Sequence, residues 1–160
     1  MEVYRAPATT FVAQFLGSPP MNLIPATVAS GSNGQPVLRI GANQLPQPPE
    51  WSLVLPPSGH SAIFGIRPED IFGPGRVPSP TAKLFDIQAT VTAVEILGAE
   101  IIVIVDIDGA NHGKCMARLG RDAEARVGDR VVLQFDVSAA HLFDPVTESL
   151  LTGPQSLRAN

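Results

Sequence analysis

A strict alternation of apolar and polar side chains over residues 85–93 constrains the fold of this chain more than any other feature. The apolar set is Phe85, Ile87, Ala89, Val91 and Ala93, and the polar set is Asp86, Gln88, Thr90 and Thr92. Successive side chains of a β-strand point to opposite faces, so this pattern predicts a half-buried strand. The apolar positions then switch parity to Val94 and Ile96, which predicts a bulge or bend of the kind that closes barrels.

The next stretch, residues 100–108, is apolar on both faces. It follows a turn at Leu97-Gly98-Ala99, and its main apolar face carries Ile101, Val103, Val105 and Ile107. The opposite face carries Ile102 and Ile104. A strand of this kind is covered on both faces, by its own fold or by a partner. Because these two isoleucines would form an aggregation-prone edge if exposed, we take Ile102 and Ile104 as candidate interface residues.

Short strands are predicted along most of the remaining chain, at residues 23–29, 36–40, 61–67, 113–119, 130–136 and 140–143, with 53–55 as a further candidate. Gly31-Ser32-Asn33-Gly34 between the first two predicts a hairpin, because Asn and Gly tolerate positive φ. Val127-Gly128-Asp129 predicts another tight turn. This density of short strands and turns predicts an all-β fold, in particular an OB-like barrel.

The first twenty residues have helical periodicity instead. Over residues 8–16 the apolar side chains fall on one helix face, at Phe11, Val12, Phe15 and Leu16. Thr9 or Thr10 suits the start of such a helix, and Gly17 suits its end. A helix of about two turns is not stable alone in water. We therefore expect it to dock on the rest of the chain or on a missing neighbour.

We predict three parts along the chain: a linker helix at 1–20, a barrel domain at 21–152 and a tail at 153–160. A connector rich in Gly and Pro, at Gly73-Pro74-Gly75 and Pro78, divides the barrel domain into halves of about 21–72 and 84–152.

The composition argues against several classes of protein. A net charge of −4 with eleven scattered basic residues does not suit binding to a polyanion. The single cysteine, Cys115, suits a reducing cytosol. The first residues show no basic region followed by an apolar run, and the longest apolar stretch falls far short of a membrane span of roughly 20 residues. These features predict a cytoplasmic protein.

No catalytic pattern is recognisable in the sequence. His60, His112 and His141 are far apart and belong to no metal-ligand motif. Cys115 lies in a strand-like stretch and is interpreted as a small core residue. There is no phosphate-binding loop of the GxxxxGK[ST] type. We therefore expect no catalysis, no metal and no cofactor.

Four sequence words occur in an order that resembles one family. They are Tyr4-Arg5-Ala6-Pro7-Ala8-Thr9 with Phe11-Val12-Ala13 and Phe15-Leu16-Gly17-Ser18-Pro19-Pro20-Met21-Asn22, then Phe64-Gly65-Ile66-Arg67-Pro68-Glu69-Asp70, Val94-Glu95-Ile96-Leu97-Gly98-Ala99-Glu100, and His141-Leu142-Phe143-Asp144. Together they resemble the region behind the nucleotide-binding domain in ATPase subunits of ABC importers. The closest group is the maltose-importer type, which serves sugars and glycerol phosphate.

The resemblance implies an OB-like accessory domain of the TOBE (MOP-like) type, built from two intertwined small halves. It implies a regulatory and dimerisation role, with partners that are a second copy, the ATPase domain of the parent subunit and, in some members, a regulatory protein or small effector. It implies no contact with nucleic acid, and contact with the membrane only through permease subunits, at the cytoplasmic side of the inner membrane. The ATPase motifs are absent from these residues, so we expect the chain to be part of a longer subunit.

From these words and from the second apolar face of residues 100–108 we select ten candidate interface or regulatory residues: Arg67, Glu69, Asp70, Gly98, Glu100, Ile102, Ile104, His141, Phe143 and Asp144. For Arg67, Glu69 and Asp70 a turn-capping role and a partner contact are about equally favoured. Gly98 is expected to permit a tight hairpin. His141 to Asp144 are expected to close the barrel, with Leu142 or Phe143 packing inward and Asp144 starting a turn.

Two other functions stay open. Related barrels bind oxyanions between subunits, so a small-ligand or oxyanion sensor is an alternative, although no suitable anion-binding word is present. A single-stranded nucleic-acid binder is a weaker alternative, because the chain has one Trp, one Tyr and an acidic balance.

Overall fold

β-Strands dominate the computed structural model of this chain, which describes residues 2–47, 51, 55–76 and 78–154. Two short helices, α1 (Glu2–Arg5) and α2 (Thr10–Phe15), precede the strands. The strands are β1 (Asn22–Ser30), β2 (Pro36–Ile40), β3 (Asn43–Pro46), β4 (Ser61–Ile66), β5 (Ile71–Phe72), β6 (Leu84–Leu97), β7 (Glu100–Ile107), β8 (Lys114–Gly120), β9 (Arg130–Asp136), β10 (His141–Phe143) and β11 (Leu150–Thr152). The 3-10 turns Pro68–Asp70 and Val137–Ala139 follow β4 and β9.

The two sheets exchange strands between the two ends of the chain. The first sheet has the order β11-β10-β4-β1-β2-β3, and the second has the order β5-β9-β6-β7-β8. The last two strands therefore complete the early sheet, while β5 from the early half joins the late one. The predicted all-β, OB-like fold with two intertwined halves is confirmed.

The two sheets pack around one apolar core. Phe64 of β4 and Phe135 of β9 are fully buried, and their rings stack across the two sheets with centroids 6.3 Å apart. Ile24 and Leu38 from the first sheet and Val103 from the second belong to the same buried cluster. Aromatic pairs of this kind contribute more than their buried area alone, so Phe64 and Phe135 lie at the centre of the contact between the sheets.

A side-chain amide joins the sheets at their edge. Asn22 of β1 donates from Nδ2 to the carbonyl of Met116 and accepts from its N–H, both at 2.8 Å. The amide thus occupies the place of a neighbouring strand along the outer edge of β8. This contact satisfies backbone groups that would otherwise be unpaired.

The strand predictions hold best for the long, periodic elements. The register of β6 against β7 shifts between Val91 and Ala93, which confirms the bulge predicted from the change of parity. Gly98 has φ +60° in the hairpin between these strands, as expected. β3, β5 and β11 were not predicted. Of the candidate strand at 53–55, residues 53 and 54 lie outside the described residues, and Leu55 is not in a strand.

The face through which α2 docks on the barrel is not the one that carries its aromatic residues. Thr9 caps the helix by accepting the N–H of Val12 at 3.3 Å, as its sequence position suggested. The buried side chains of α2, however, are Thr10 and Ala13. Phe11 and Phe15 point outward at 72% and 76% exposure, and their rings stack with centroids 6.1 Å apart. The aromatic part of the predicted docking face is therefore exposed.

The position of β7 shows how its second apolar face is covered at Ile102. β7 lies between β6 and β8 and is not an edge strand. Ile102 is only 3% exposed in the single chain, and Ile104 is half-buried. Of the two alternatives for the second face of β7, cover by its own fold therefore holds for Ile102. The interface role of Ile102 and Ile104 stays a prediction.

Replacing Phe64 by alanine should destabilise the fold by about 3–5 kcal/mol, because it leaves a cavity where the two sheets meet. Phe11→Ala is the matched control, since Phe11 is largely exposed, and it should change stability by less than about 0.5 kcal/mol. Urea denaturation measures both. Equal losses in the two variants would contradict the central role of Phe64.

Candidate functional site

The junction between the N-terminal segment and the barrel is built around Arg67, which follows the end of β4. Its buried guanidinium donates from Nη1 to the carbonyl of Leu16 at 3.0 Å and from Nη2 to the carbonyl of Tyr4 at 2.5 Å. Its Cζ also lies 3.6 Å from the centroid of the Tyr4 ring, a cation–π geometry. A buried charge must be hydrogen-bonded, and here backbone carbonyls at the ends of α1 and α2 supply those bonds.

Tyr4 makes a second contact with the same loop. Its hydroxyl donates to the carboxylate of Glu69, in the 3-10 turn after Arg67. Burial raises the pKa of Tyr4, and the hydrogen bond to Glu69 raises it further. Tyr4 therefore stays protonated and keeps donating this bond.

His141 fixes the neighbouring residue of α1. Its Nε2 lies 2.8 Å from the carbonyl of Arg5, so this nitrogen carries the proton and donates. Burial lowers the pKa of His141 and the charge of Arg67 adds to that effect, while the bond to Arg5 acts in the opposite direction. Its Nδ1 is buried without a hydrogen-bond partner among the described residues. A neutral imidazole suits this environment.

Gly153 packs directly against the imidazole of His141. A Cβ at this position would lie 2.7 Å from Cδ2 of His141, closer than real side chains approach. The imidazole of His141 also stacks with the ring of Phe143, with centroids 6.2 Å apart. Phe143 is in turn buried with Ala13 of α2 and Met21. Both helices are thus fastened to β10.

Asp70 lies beside the junction, at the end of the same 3-10 turn as Glu69. Burial, followed by the nearby carboxylates of Glu69 and Asp136, raises its pKa to about 7, while Arg67 acts in the opposite direction. The contacts of Arg67, Glu69 and His141 together hold the N-terminal segment in place.

Nothing else in the described ranges forms a reactive centre. No three His, Cys, Asp or Glu side chains within them lie close enough to hold a metal ion. Burial raises the pKa of the Cys115 thiol to about 12, so it packs as a core residue, as predicted. None of the described helices is long and apolar enough to cross a bilayer.

The predicted site residues fall into separate places. Arg67, Glu69 and His141 meet at the junction, Phe143 packs beside it, and Asp70 follows Glu69 in the 3-10 turn. Gly98 and Glu100 lie on the β6–β7 hairpin, where Glu100 pairs with Arg118 at 2.6 Å. Leu142 and Phe143 are both fully buried, so each packs inward, in different clusters.

Asp144 starts a turn, as predicted. Its carboxylate accepts the N–H groups of Val146 and Thr147, both at 2.8 Å. These bonds lower its pKa. The residue that the sequence reasoning did not select is Tyr4, although it opens the first of the four family words and could have been chosen on that ground.

The fold and the position of this junction define an accessory domain of the TOBE class. A family model described as "TOBE domain" matches residues 64–143, and one described as "MalK OB fold domain" matches residues 17–71. The chain belongs to the TOBE family, and it is similar to part of the ATP-binding subunits of ABC importers of the MalK and UgpC type. The resemblance inferred from the four sequence words is confirmed.

Similar proteins from several organisms support this placement. The chain is 33% identical over 92% of its length to the oligosaccharides import ATP-binding protein MsmX of Bacillus subtilis. It is 36% identical to the trehalose/maltose import ATP-binding protein MalK of Thermococcus litoralis over 91% of this chain. It is also 36% identical to the sn-glycerol-3-phosphate import ATP-binding protein UgpC of Ralstonia nicotianae over 92% of this chain. It spans only 38–39% of the length of these three relatives.

A solved structure shares the fold. The cytoplasmic molybdate-binding protein ModG, with molybdate bound, superposes with a TM-score of 0.52 at 12% identity, covering 78% of this chain and 96% of that one. At this identity the likeness shows the fold alone.

Substituting Arg67 by methionine should release the N-terminal segment, because its hydrogen bonds to the carbonyls of Leu16 and Tyr4 are lost. Hydrogen bonds to a charged group are worth about 1.5–3 kcal/mol each, so we expect a loss of at least that size. Limited proteolysis before Gly17 and urea denaturation measure the effect. The control is Arg39→Met, on an exposed part of β2. Unchanged protection of the segment in the Arg67 variant would contradict the anchoring role.

Asp70→Asn should stabilise the protein more at pH 8 than at pH 5. The pKa of Asp70 is about 7 in the folded state against an ordinary value of 3.8, so its ionisation makes folding less favourable as the pH rises through this window. We expect a gain of about 1–2 kcal/mol at pH 8, allowing for partial solvent screening.

Chemical denaturation of variant and wild type at both pH values gives this difference directly. The comparison is needed because His141 acts in the opposite sense: its lowered pKa costs stability as the pH falls below its ordinary value of 6.5. Asp122→Asn, at an exposed carboxylate, supplies the baseline. A gain that is no larger at pH 8 than at pH 5 would refute the assignment.

Proposed function

We propose that this chain is the regulatory and dimerisation domain of the ATP-binding subunit of an importer for sugars or glycerol phosphate, and that it carries out no catalysis itself. The observation that carries the proposal is the set of relatives, whose names specify import of oligosaccharides, trehalose or maltose, and sn-glycerol-3-phosphate. The matched TOBE and OB-fold models support an accessory role beside an ATPase domain.

The junction supports an attachment to that ATPase domain. Arg67 and His141 hold the backbone of α1, and Thr10 and Ala13 hold α2, so the N-terminal segment is a firm part of the accessory domain. The stacked rings of Phe11 and Phe15 face away from it. In the parent subunit, these two rings would pack against the ATPase domain.

The β6–β7 hairpin supports a contact with a second copy. β6 pairs with β9 as far as Thr90, and Val91 still bonds to the turn before β9. Among the described strands, the rest of β6, from residue 92 onward, is therefore bonded only to β7. At its end Ile96 and Leu97 are 69% and 48% exposed. An unpaired edge with an exposed apolar tip favours self-association. We therefore assign the dimer contact to this hairpin, where Gly98 shapes the turn, in place of Ile102.

Further partners follow from the same proposal. The parent subunit would lie in the cytoplasm, peripheral to the inner membrane, and reach the membrane through permease subunits. A regulatory protein or small effector would act on the accessory domain.

Changing Ile96 and Leu97 together to aspartate should weaken dimerisation at least about tenfold. A few apolar anchor residues supply most of the binding energy of an interface, and this change removes two of them. Light scattering over a range of protein concentrations gives the dimer fraction. Val146→Asp is the control, because Val146 is also an exposed apolar residue but lies outside the hairpin, and it should leave the dimer fraction unchanged. A wild-type chain that is monomeric throughout would exclude dimerisation through this domain alone, and ATP hydrolysis by the purified chain would exclude the non-catalytic role.

A further inference from the structure

The strands of the second sheet leave an open seam in the barrel. β5 pairs with β9 at only two positions, Ile71 with Phe135 and Phe72 with Gln134. After Phe72 the chain turns away at Gly73-Pro74. Beyond that point a groove of about 900 Å³ lies between β9 and β8, with residues of both strands in its walls.

One wall of this groove is a free strand edge. The N–H of Val91 in β6 donates to the carbonyl of Asp129 at 2.9 Å, which sets the phase of the hydrogen bonds between β6 and β9. Alternate residues of an antiparallel strand direct their N–H and C=O groups to opposite sides. Val131 and Leu133 therefore bond to β6, while Arg130 and Val132 direct theirs into the groove, where no strand of the described chain pairs with them.

The opposite wall is the outer edge of β8. The N–H of Ile107 donates to the carbonyl of Gly113 at 3.0 Å, so Met116 and Arg118 direct their backbone groups away from β7. The bonds between Met116 and the Asn22 amide agree with this phase. Two residues further on, the N–H and C=O of Arg118 face the groove.

The interior of the groove is apolar and its rim is charged with both signs. Val103, Leu119 and Leu133 contribute the apolar surface. The rim carries three arginines and four carboxylates: Arg76, Arg118, Arg130, Glu69, Glu100, Asp122 and Glu124. Arg118 is already paired with Glu100. This balance does not suit a small anion, whose binding requires an excess of positive charge or converging N–H groups.

We propose that this seam binds an extended segment of a partner protein, which adds as a strand antiparallel to β9 in the place that β5 leaves open. The backbone groups of Val132 and Arg130 pair with the segment, as in other cases of strand addition. Its alternate apolar side chains enter the space lined by Val103, Leu119 and Leu133, and its charged side chains meet the rim. The inference uses the barrel alone and does not depend on the proposed role in import.

The probe for this site is an acetylated and amidated heptapeptide in which valine alternates with lysine and glutamate. Titration into the labelled chain, followed by amide NMR shifts, should place the largest changes at Val132 and Arg118. The same peptide with N-methyl groups on alternate amides, on the edge that faces β9, should bind about tenfold more weakly or worse, since net hydrogen-bond energies of this size are lost.

A pair of substitutions at one position separates backbone pairing from side-chain contact. Val132→Pro removes the N–H that points into the groove and fixes φ, which an edge position tolerates, and it should weaken binding about as much as N-methylation. Val132→Ala keeps that N–H and should bind nearly as well as wild type. Urea denaturation confirms that both variants are folded.

Several results would overturn the proposal. No binding at millimolar peptide would do so, as would equal affinity for the methylated peptide or shifts confined to other surfaces. Glycerol phosphate or molybdate causing the same shifts at Val132 and Arg118 would assign the groove to a small ligand. If the same amide signals move when the chain is diluted without peptide, the groove is assigned to a second copy of the chain.

Discussion

The pairing of both edges of β4 is the constraint on which the rest of the structure depends. β1 covers one edge and β10, from the far end of the chain, covers the other. Buried backbone groups of a strand must be hydrogen-bonded, so the early sheet is incomplete without the late residues. Phe64 of β4 then meets Phe135 of the other sheet, which places both halves around one core.

The end of β4 also prepares the junction. A Cβ on Gly65 would lie 2.8 Å from both the Met21 sulfur and the Phe143 ring, so glycine is required for the N-terminal segment to pack against this strand. Two residues later Arg67 reaches the segment with a charge that carbonyl oxygens and an aromatic face satisfy. The hydrogen bonds of Arg67 are made to main-chain atoms, so they do not require a particular side chain at Leu16.

The sequence was most informative where periodicity was long. β6 was recognisable because the alternation over residues 85–93 reflects one buried face, and β7 because it forms a run of apolar residues after a turn. β5 and β11 span two and three residues, too few for a period, and their strand conformation results from pairing with β9 and β10. Short segments of this kind depend on tertiary contacts that no local pattern contains.

The site was only partly predictable for the same reason. The family words pointed to Arg67, Glu69 and His141, but their common partner is the backbone and ring of α1, more than sixty residues away from Arg67. On α2, helical spacing grouped the large apolar residues correctly, but it could not show that the smaller Thr10 and Ala13 would face the barrel. For Ile102, alternation showed a second apolar face without showing that the chain itself covers it.

The exchange of strands has a consequence for how the chain reaches its native state. Because β10 pairs with one edge of β4, nearly the whole domain must leave the ribosome before the early sheet can be completed. Contacts between such distant parts of a chain also slow folding, since loop closure precedes any gain in energy. Nascent chains that stop short of residue 141 would therefore leave one edge of β4 unpaired, the kind of exposed edge that chaperones shield.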